Sequence, residues 1–328
     1  MAATRLGEFE LIATLLRPLA AGFPGAFALG DDTARLAPPP GEELVVKTDA
    51  LVCGVHFLAA HDPGLVARKA LRVNLSDLAA AGARPLAYQL ALVLPDAIDD
   101  AWLTAFCAGL ADDQKTYGIA LCGGDTTSTP GPLTIVITAF GTAPAGATPG
   151  RGGARPGDGV FVSGTIGDGA LGLLANTGRL PAAGAAERAF LDDRYLLPQP
   201  RLDLGQRLRG VASACMDVSD GLVGDLGHIC SRSGVRAVID ADAVPLSAAA
   251  RAVLARRPDL LETVLTGGDD YELLFTAPAA RAAAITEAAG LAGVPVAAIG
   301  RIEAGSSGVA VERGGRPLAL SRASYRHR

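Results

Sequence analysis

Leu44-Val45-Val46-Lys47-Thr48-Asp49 is the stretch from which the fold of this chain is read. An apolar, β-branched run leads straight into a threonine and a carboxylate, so a strand delivers an aspartate at its end. Carboxylates stand in the same way, at the ends of apolar segments or in glycine-flanked turns, at five further places. These are Gly30-Asp31-Asp32, Asn74-Leu75-Ser76-Asp77, Gly123-Gly124-Asp125, Asp217-Val218-Ser219-Asp220-Gly221 and Gly267-Gly268-Asp269-Asp270. Any one Asp beside Gly reads equally well as a turn or a helix cap. Six together point to phosphate chemistry. Glycine lets a phosphate approach the backbone, and the adjoining carboxylate holds the Mg²⁺ that bridges phosphate oxygens. Since Mg²⁺ takes only one or two carboxylates per ion, this many aspartates imply several ions.

Outward from the first strand, the pattern alternates. A short helix is expected near Glu8–Leu16. Asp62 and Pro63 supply the cap and first turn of a helix running to about Ala81, stopped by Gly82 and Pro85. A strand over 88–94, a helix over 101–117 and a strand over 133–140 follow. The Pro-, Gly- and Ala-rich segment 143–158 reads as a linker. Beyond it come strands over 160–163, 235–240, 271–276, 294–299 and 309–311, and a helix over 219–233. At 328 residues the chain exceeds one ordinary core. The expectation is therefore an α/β (α+β) protein of two domains, 1–146 and 147–328.

Composition narrows the function. The formal net charge is −5 with no basic run, which argues against a nucleic-acid partner and means that a phosphate ligand must arrive with cations. No run reaches the roughly 18–20 apolar residues of a membrane span, and Glu8 and Glu10 stand where an export signal needs its apolar core. A cytoplasmic protein with no membrane partner is expected. The five cysteines form no C-x-x-C pair, and zinc spacing is absent.

The familiar phosphate motifs do not account for the aspartates. None of the three lysines lies in a G-x-x-x-x-G-K-[ST] loop, and protein-kinase signatures are missing. Gly167-Asp168-Gly169-Ala170-Leu171-Gly172 fits the dinucleotide pattern, or simply a tight strand–helix turn. Asp77 lies one turn after Asn74 amid Leu71, Leu75 and Leu78, where a carboxylate should be paired or metal-bound unless that face is solvated. His56 reads as structural or functional, and Arg151 and Arg155 as phosphate clamps or ordinary linker residues.

Taken together, these segments resemble the thiamine-monophosphate kinases, of the superfamily that includes aminoimidazole ribonucleotide synthetase and selenophosphate synthetase. Besides the aspartate motifs, Gly7-Glu8-Phe9-Glu10-Leu11-Ile12, the run from Lys47 through Phe57 and Asn74 through Ala83 appear in family order over nearly the whole chain. The resemblance implies a two-domain aminoimidazole ribonucleotide synthetase-like fold, with an N-terminal domain that binds ATP and Mg²⁺ and joins its sheet to a second copy's in a homodimer. It implies Asp32, Thr48, Asp49, Asp77, Asp125, Asp217 and Asp220 as Mg²⁺ ligands. It implies Tyr117, Gly124, Asp125, Arg151 and Ser219 as nucleotide contacts, and His56, Asp269 and Tyr325 as contacts to thiamine monophosphate. The chain departs from the family pattern at Asp269, where a glutamate is implied, and in the closing Ser324-Tyr325-Arg326-His327. The implied reaction is ATP-dependent phosphorylation of thiamine monophosphate to thiamine diphosphate, the last step of its biosynthesis, with no general base. An aminoimidazole ribonucleotide synthetase-like enzyme and a non-catalytic Mg²⁺–nucleotide sensor are the alternatives.

Overall fold

The structure is a computed structural model that describes residues 6–180, 183–322 and 324. It divides into two compact units: residues 1–78 with 84–146, and residues 79–83 with 147–328.

The first unit begins with a helical segment in which α1 (Glu8–Leu11), a π-helical turn (Ile12–Leu16) and α2 (Arg17–Ala20) run on without a break. Its body is a four-stranded sheet in the order β1-β4-β2-β3, built from β1 (Glu42–Val52), β2 (Arg84–Pro95), β3 (Ala120–Thr129) and β4 (Thr134–Pro144). β1 and β2 pair antiparallel to β4, and β3 runs parallel to β2. Two helices, α3 (Pro63–Ala80) and α4 (Asp100–Tyr117), supply the second layer. Asp62 starts α3 by accepting from Leu65 N at 3.1 Å, and Asp99 caps α4 through Trp102 N at 2.8 Å, each satisfying an N–H that the first turn leaves unpaired. Arg72 on α3 binds Asp113 on α4 in a two-pronged pair at 2.7 and 2.9 Å, all of it buried. Such a pair locks register once both charges are satisfied.

Strand alternation gives this sheet two unlike faces. Lys47, Ala139 and Tyr88 lie in one cross-strand row facing the helices, since Lys47 reaches Asp77 of α3 and the Tyr88 hydroxyl reaches Gln114 of α4. On the other face Leu44, Val46, Thr48 and Ala50 of the edge strand β1 stand exposed, Val46 at 57%.

The second unit is a seven-stranded sheet in the order β11-β10-β7-β9-β5-β8-β6. Its strands are β5 (Asp158–Ser163), β6 (Ala214–Asp217), β7 (Arg236–Asp240), β8 (Leu273–Pro278), β9 (Val296–Glu303), β10 (Gly308–Arg313) and the short β11 (Arg316–Pro317). The accompanying helices are α5 (Asp168–Asn176), α6 (Ala185–Leu196), α7 (Leu202–Arg207), α8 (Leu222–Ser233), α9 (Ala248–Arg256), α10 (Leu261–Thr266) and α11 (Ala282–Ala292). One core cluster joins Val160, Val162, Leu226, Ile229, Ile239 and Ile299, so α8 is packed on the sheet.

Several sequence expectations need correction. Gly123-Gly124-Asp125 is no turn: it lies inside β3, which its glycines and polar residues hid from β-propensity. The helix expected from Ser219 starts only at Leu222, because residues 218–221 form a loop. The linker reading starts too early, within β4, and its second half is docked: Gly150 O accepts from Cys215 N, and Ser233 Oγ accepts from Gly153 N and Ala154 N. β5 runs antiparallel to both its neighbours, so the glycine motif that follows it is not the turn of a parallel βαβ dinucleotide fold.

Candidate functional site

In the first unit the candidate residues fall into three groups. The first is a charged triad. Asp49 follows Lys47 by two residues on β1, so both side chains take the same face of the strand, while α3 brings Asp77 down onto them. The Lys47 Nζ lies 3.1 Å from Asp49 Oδ1 and 2.9 Å from Asp77 Oδ2. Burial pulls the lysine pKa down, but attraction to Asp77 and Asp49 outweighs it and holds Lys47 above its ordinary value.

The second group surrounds a cavity of about 310 Å³. It is lined by Glu8 and Ile12 of the N-terminal helices, by Asp31 and Asp32, and by Gly123, Gly124 and Asp125 of β3. A β-carbon on Gly124 would sit 1.8 Å from Leu90 O, so only glycine lets β3 come this close to β2. Three consecutive left-handed residues, Phe27, Ala28 and Leu29 (φ 49°, 54° and 56°), turn the chain into the Asp31–Asp32 loop. Such residues cost about 1–2 kcal/mol each. Arg17 Nε, donating to Ala28 O at 3.1 Å, and the Arg35 guanidinium over the Phe27 ring at 5.1 Å help to hold them.

The third group is dispersed over the edge strand β1, the turn that follows it and the end of α4. Thr48 bonds Thr138 at 2.8 Å on the open face, with β4 and β2 lying between it and Asp125 on β3. His56 is set by the turn after β1, its Nδ1 accepting from Val52 N at 3.0 Å, which leaves the proton on Nε2 in the neutral ring. Tyr117, at the end of α4, stacks against the Arg72 guanidinium at 5.4 Å.

The second unit assembles its own motifs through the backbone. Asp217 ends β6, buried, and leads into Val218-Ser219-Asp220-Gly221. Asp269 N donates to Ser219 O at 2.9 Å, Tyr271 N to Val218 O at 2.8 Å and Val218 N to Glu272 O at 2.8 Å. The two aspartate motifs are therefore stitched together. A β-carbon on Gly268 would lie 2.0 Å from Ser219 O, so the loops touch as closely as backbones allow. Asp269 and Tyr271 both adopt left-handed φ (71° and 52°), a strained state for side-chain-bearing residues that these bonds hold in place. Arg151 is exposed in the docked segment after Gly150. Tyr325 lies outside the described residues.

Two carboxylates brace these loops, and their roles were not read from the sequence. Asp225, in the first turn of α8, accepts at 3.0 Å from both Ser219 N and Asp220 N. Burial pushes its pKa up to about 7, against the pull of those N–H groups. Asp270 accepts from Gly167 N at 2.7 Å and Gly169 N at 2.9 Å at the start of α5, and burial again raises its pKa well above the usual carboxylate value. This gives the glycine-rich turn at 167–169 its place: it closes on the Gly268-Asp269-Asp270 loop. Glu272 is held by Arg201 Nε at 2.8 Å and Ser163 Oγ at 2.5 Å. For Lys47 and Asp225 a signal existed. Lys47 stands two positions before Asp49 on a strand, and Asp225 stands at the start of a helix that follows an aspartate loop.

Among the described residues no set of three or more His, Cys, Asp or Glu side chains is grouped to hold a metal. Asp49 and Asp77 nonetheless fit Mg²⁺, which needs only one or two carboxylates beside water and phosphate oxygens. Each aims one oxygen at a single cation, the Lys47 ammonium.

Two stretches of the chain match families by sequence: residues 30–143 the "AIR synthase related protein, N-terminal domain" and residues 155–312 the corresponding "C-terminal domain". The fold is thus that of the AIR synthase related class. A thiamine-monophosphate kinase of Caulobacter vibrioides is 46% identical over 324 residues, 98% of this chain and 90% of that one. The crystal structure of thiamine-monophosphate kinase from Stenotrophomonas maltophilia K279a is 44% identical with a TM-score of 0.79, covering 88% of this chain and 91% of that chain. A structure described as AaThiL complexed with AMPPCP and TMP is 32% identical with a TM-score of 0.77 over 100% of both chains. The chain belongs to the thiamine-monophosphate kinase family. No described helix is long and apolar enough to cross a membrane.

Proposed function

We propose that this protein transfers the γ-phosphoryl group of ATP to thiamine monophosphate, forming ADP and thiamine diphosphate. The observation that carries this reading is the near full-length identity to thiamine-monophosphate kinases, together with the relative solved with AMPPCP and TMP. The chemistry of the side chains agrees with it. A phosphate monoester has a second pKa of about 6, so the acceptor is already anionic at neutral pH and needs no base to activate it. What remains is to align two anions and neutralise their repulsion, the usual character of phosphoryl transfer.

Asp32, Thr48, Asp49, Asp77, Asp125, Asp217 and Asp220 are the proposed Mg²⁺ ligands. When bound, Mg²⁺ supplies the positive charge that this acidic chain lacks. Gly124 and Asp125, on the wall of the first unit's cavity, with Tyr117, Arg151 and Ser219, are proposed to receive the nucleotide. His56, its ring oriented by Val52 N, Asp269, held rigid by its backbone bond to Ser219, and Tyr325 are assigned to the acceptor.

The exposed edge-strand face bearing Leu44 and Val46 supports a homodimer through this sheet. Val46→Glu is expected to shift the mass seen by light scattering from two chains to one, and an unchanged mass argues against that interface. The five free thiols agree with a cytoplasmic place. The direct test of the reaction is ADP release from Mg-ATP with and without thiamine monophosphate, with the product mass measured. Acceptor-dependent release with formation of thiamine diphosphate is expected, and acceptor-independent or absent release refutes the assignment.

A further inference from the structure

The Lys47 ammonium occupies the point toward which Asp49 and Asp77 each direct one oxygen, at 3.1 and 2.9 Å. Nothing in the phosphoryl transfer as described uses this lysine. It is one of three in the chain, and the strand period leaves it no other face while Asp49 keeps its own. Two carboxylates drawn to one point repel each other unless a cation lies between them. The side chains of Lys47, Asp49 and Asp77 are 30%, 32% and 22% exposed, so the triad is partly open to solvent and an incoming ion.

We propose that Lys47 is a placeholder cation: its ammonium holds Asp49 and Asp77 together and must leave before Mg²⁺ binds the pair. The inference rests on the assignment of these two aspartates as Mg²⁺ ligands. Mg²⁺ sits at about 2.0–2.1 Å from its oxygens and accepts little distortion, so it cannot share the pair with an ammonium in contact with the same atoms. The lysine stem is flexible and its three donors rotate, so the head group swings away at small cost. The consequence is selectivity in loading. Bare Mg²⁺ competes with an internal cation on equal carboxylates, whereas Mg²⁺ carried on nucleotide phosphates brings further oxygens of its own. Lys47 thereby suppresses occupation by the free ion and favours the ion that arrives with the nucleotide.

The test is a calorimetric titration of Mg²⁺ alone, at constant ionic strength and without nucleotide, into the full chain and into Lys47→Met and Lys47→Arg. Removing two partly exposed ion pairs from the competition is expected to tighten Mg²⁺ binding about tenfold in Lys47→Met. Lys47→Arg, which keeps a cation in place, is expected to stay within a factor of two or so of wild type or to bind more weakly. A second readout needs no variant. With three lysines in the chain, the side-chain ammonium NMR spectrum is simple, and the Lys47 resonance should move on Mg²⁺ addition with the calorimetric Kd. Equal affinity in wild type and Lys47→Met, or Mg²⁺ binding with an unmoved Lys47 resonance, overturns the placeholder and leaves the metal assignment standing. No Mg²⁺ binding to any of the three proteins overturns the metal assignment and the placeholder with it.

Discussion

The two units hold their aspartates by opposite means. In the first, Asp49 and Asp77 meet through side chains around a lysine ammonium, and Asp32 and Asp125 line an open cavity. In the second, Ser219-Asp220 and Gly268-Asp269 are bound backbone to backbone and braced by the buried carboxylates of Asp225 and Asp270. Side-chain contacts to an ammonium readjust when a cation arrives. A backbone lattice does not, because each buried N–H that loses its acceptor costs about 1–3 kcal/mol. The first arrangement suits ions that come and go with each turnover. The second suits a rigid surface against which a substrate is aligned.

Substitutions test the contrast in order of expected effect. Gly268→Ala places a β-carbon 2.0 Å from Ser219 O, where both partners are backbone, and is expected to cost more than about 3 kcal/mol in urea unfolding and to abolish turnover. If the variant is as stable as wild type, the stitched-loop description of the second unit fails. Asp125→Asn, at an exposed position, is expected to leave the urea midpoint unchanged yet lower kcat about 100-fold at saturating Mg²⁺, since several kcal/mol of charge stabilisation is lost. An unchanged kcat at limiting Mg²⁺ would remove Asp125 from the ligand set.

Asp225→Asn replaces one acceptor for two N–H groups with a weaker, neutral one. A loss of about 1–2 kcal/mol is expected, with KM for Mg-ATP raised more than kcat is lowered. An equivalent loss of stability without any kinetic change would make Asp225 purely structural.

The smallest effect, taken per pH unit, is in pH dependence. Burial raises the Asp270 pKa in the folded chain above its unfolded value, so the folded state binds the extra proton. Asp270 therefore favours folding most below its unfolded pKa, near 4, and that contribution is lost as pH rises through the folded pKa. Relative to Asp270→Asn, wild type should lose stability over that window with a slope of at most about 1.4 kcal/mol per pH unit. Parallel stability curves for the two proteins would mean that Asp270 titrates normally.

Much of the first unit was legible because its signals are local. The Asp62-Pro63 cap, the Gly82 stop and the β-branched run at 44–46 each act within a few residues of themselves. β3 was missed because a strand of Gly, Asp, Thr and Ser has little intrinsic β-preference and exists only because β2 lies beside it. α6, α7, α9, α10 and α11 were missed in an alanine-rich half whose polar–apolar contrast is too weak to show a helical period.

The sequence by itself determined the family, through glycine–aspartate motifs in a fixed order over nearly the whole chain, and those motifs, with three lysines and no basic run, pointed to phosphate chemistry. The tertiary structure alone decided which carboxylates do different work. Asp49 and Asp77 are 28 residues apart in the chain and share one ammonium, while Asp269 and Asp270 are neighbours and face different partners. Adjacency along a chain says nothing about which groups meet once strands and loops pack, and for charges of the same kind it is the distance and the burial, set only by that packing, that fix the role.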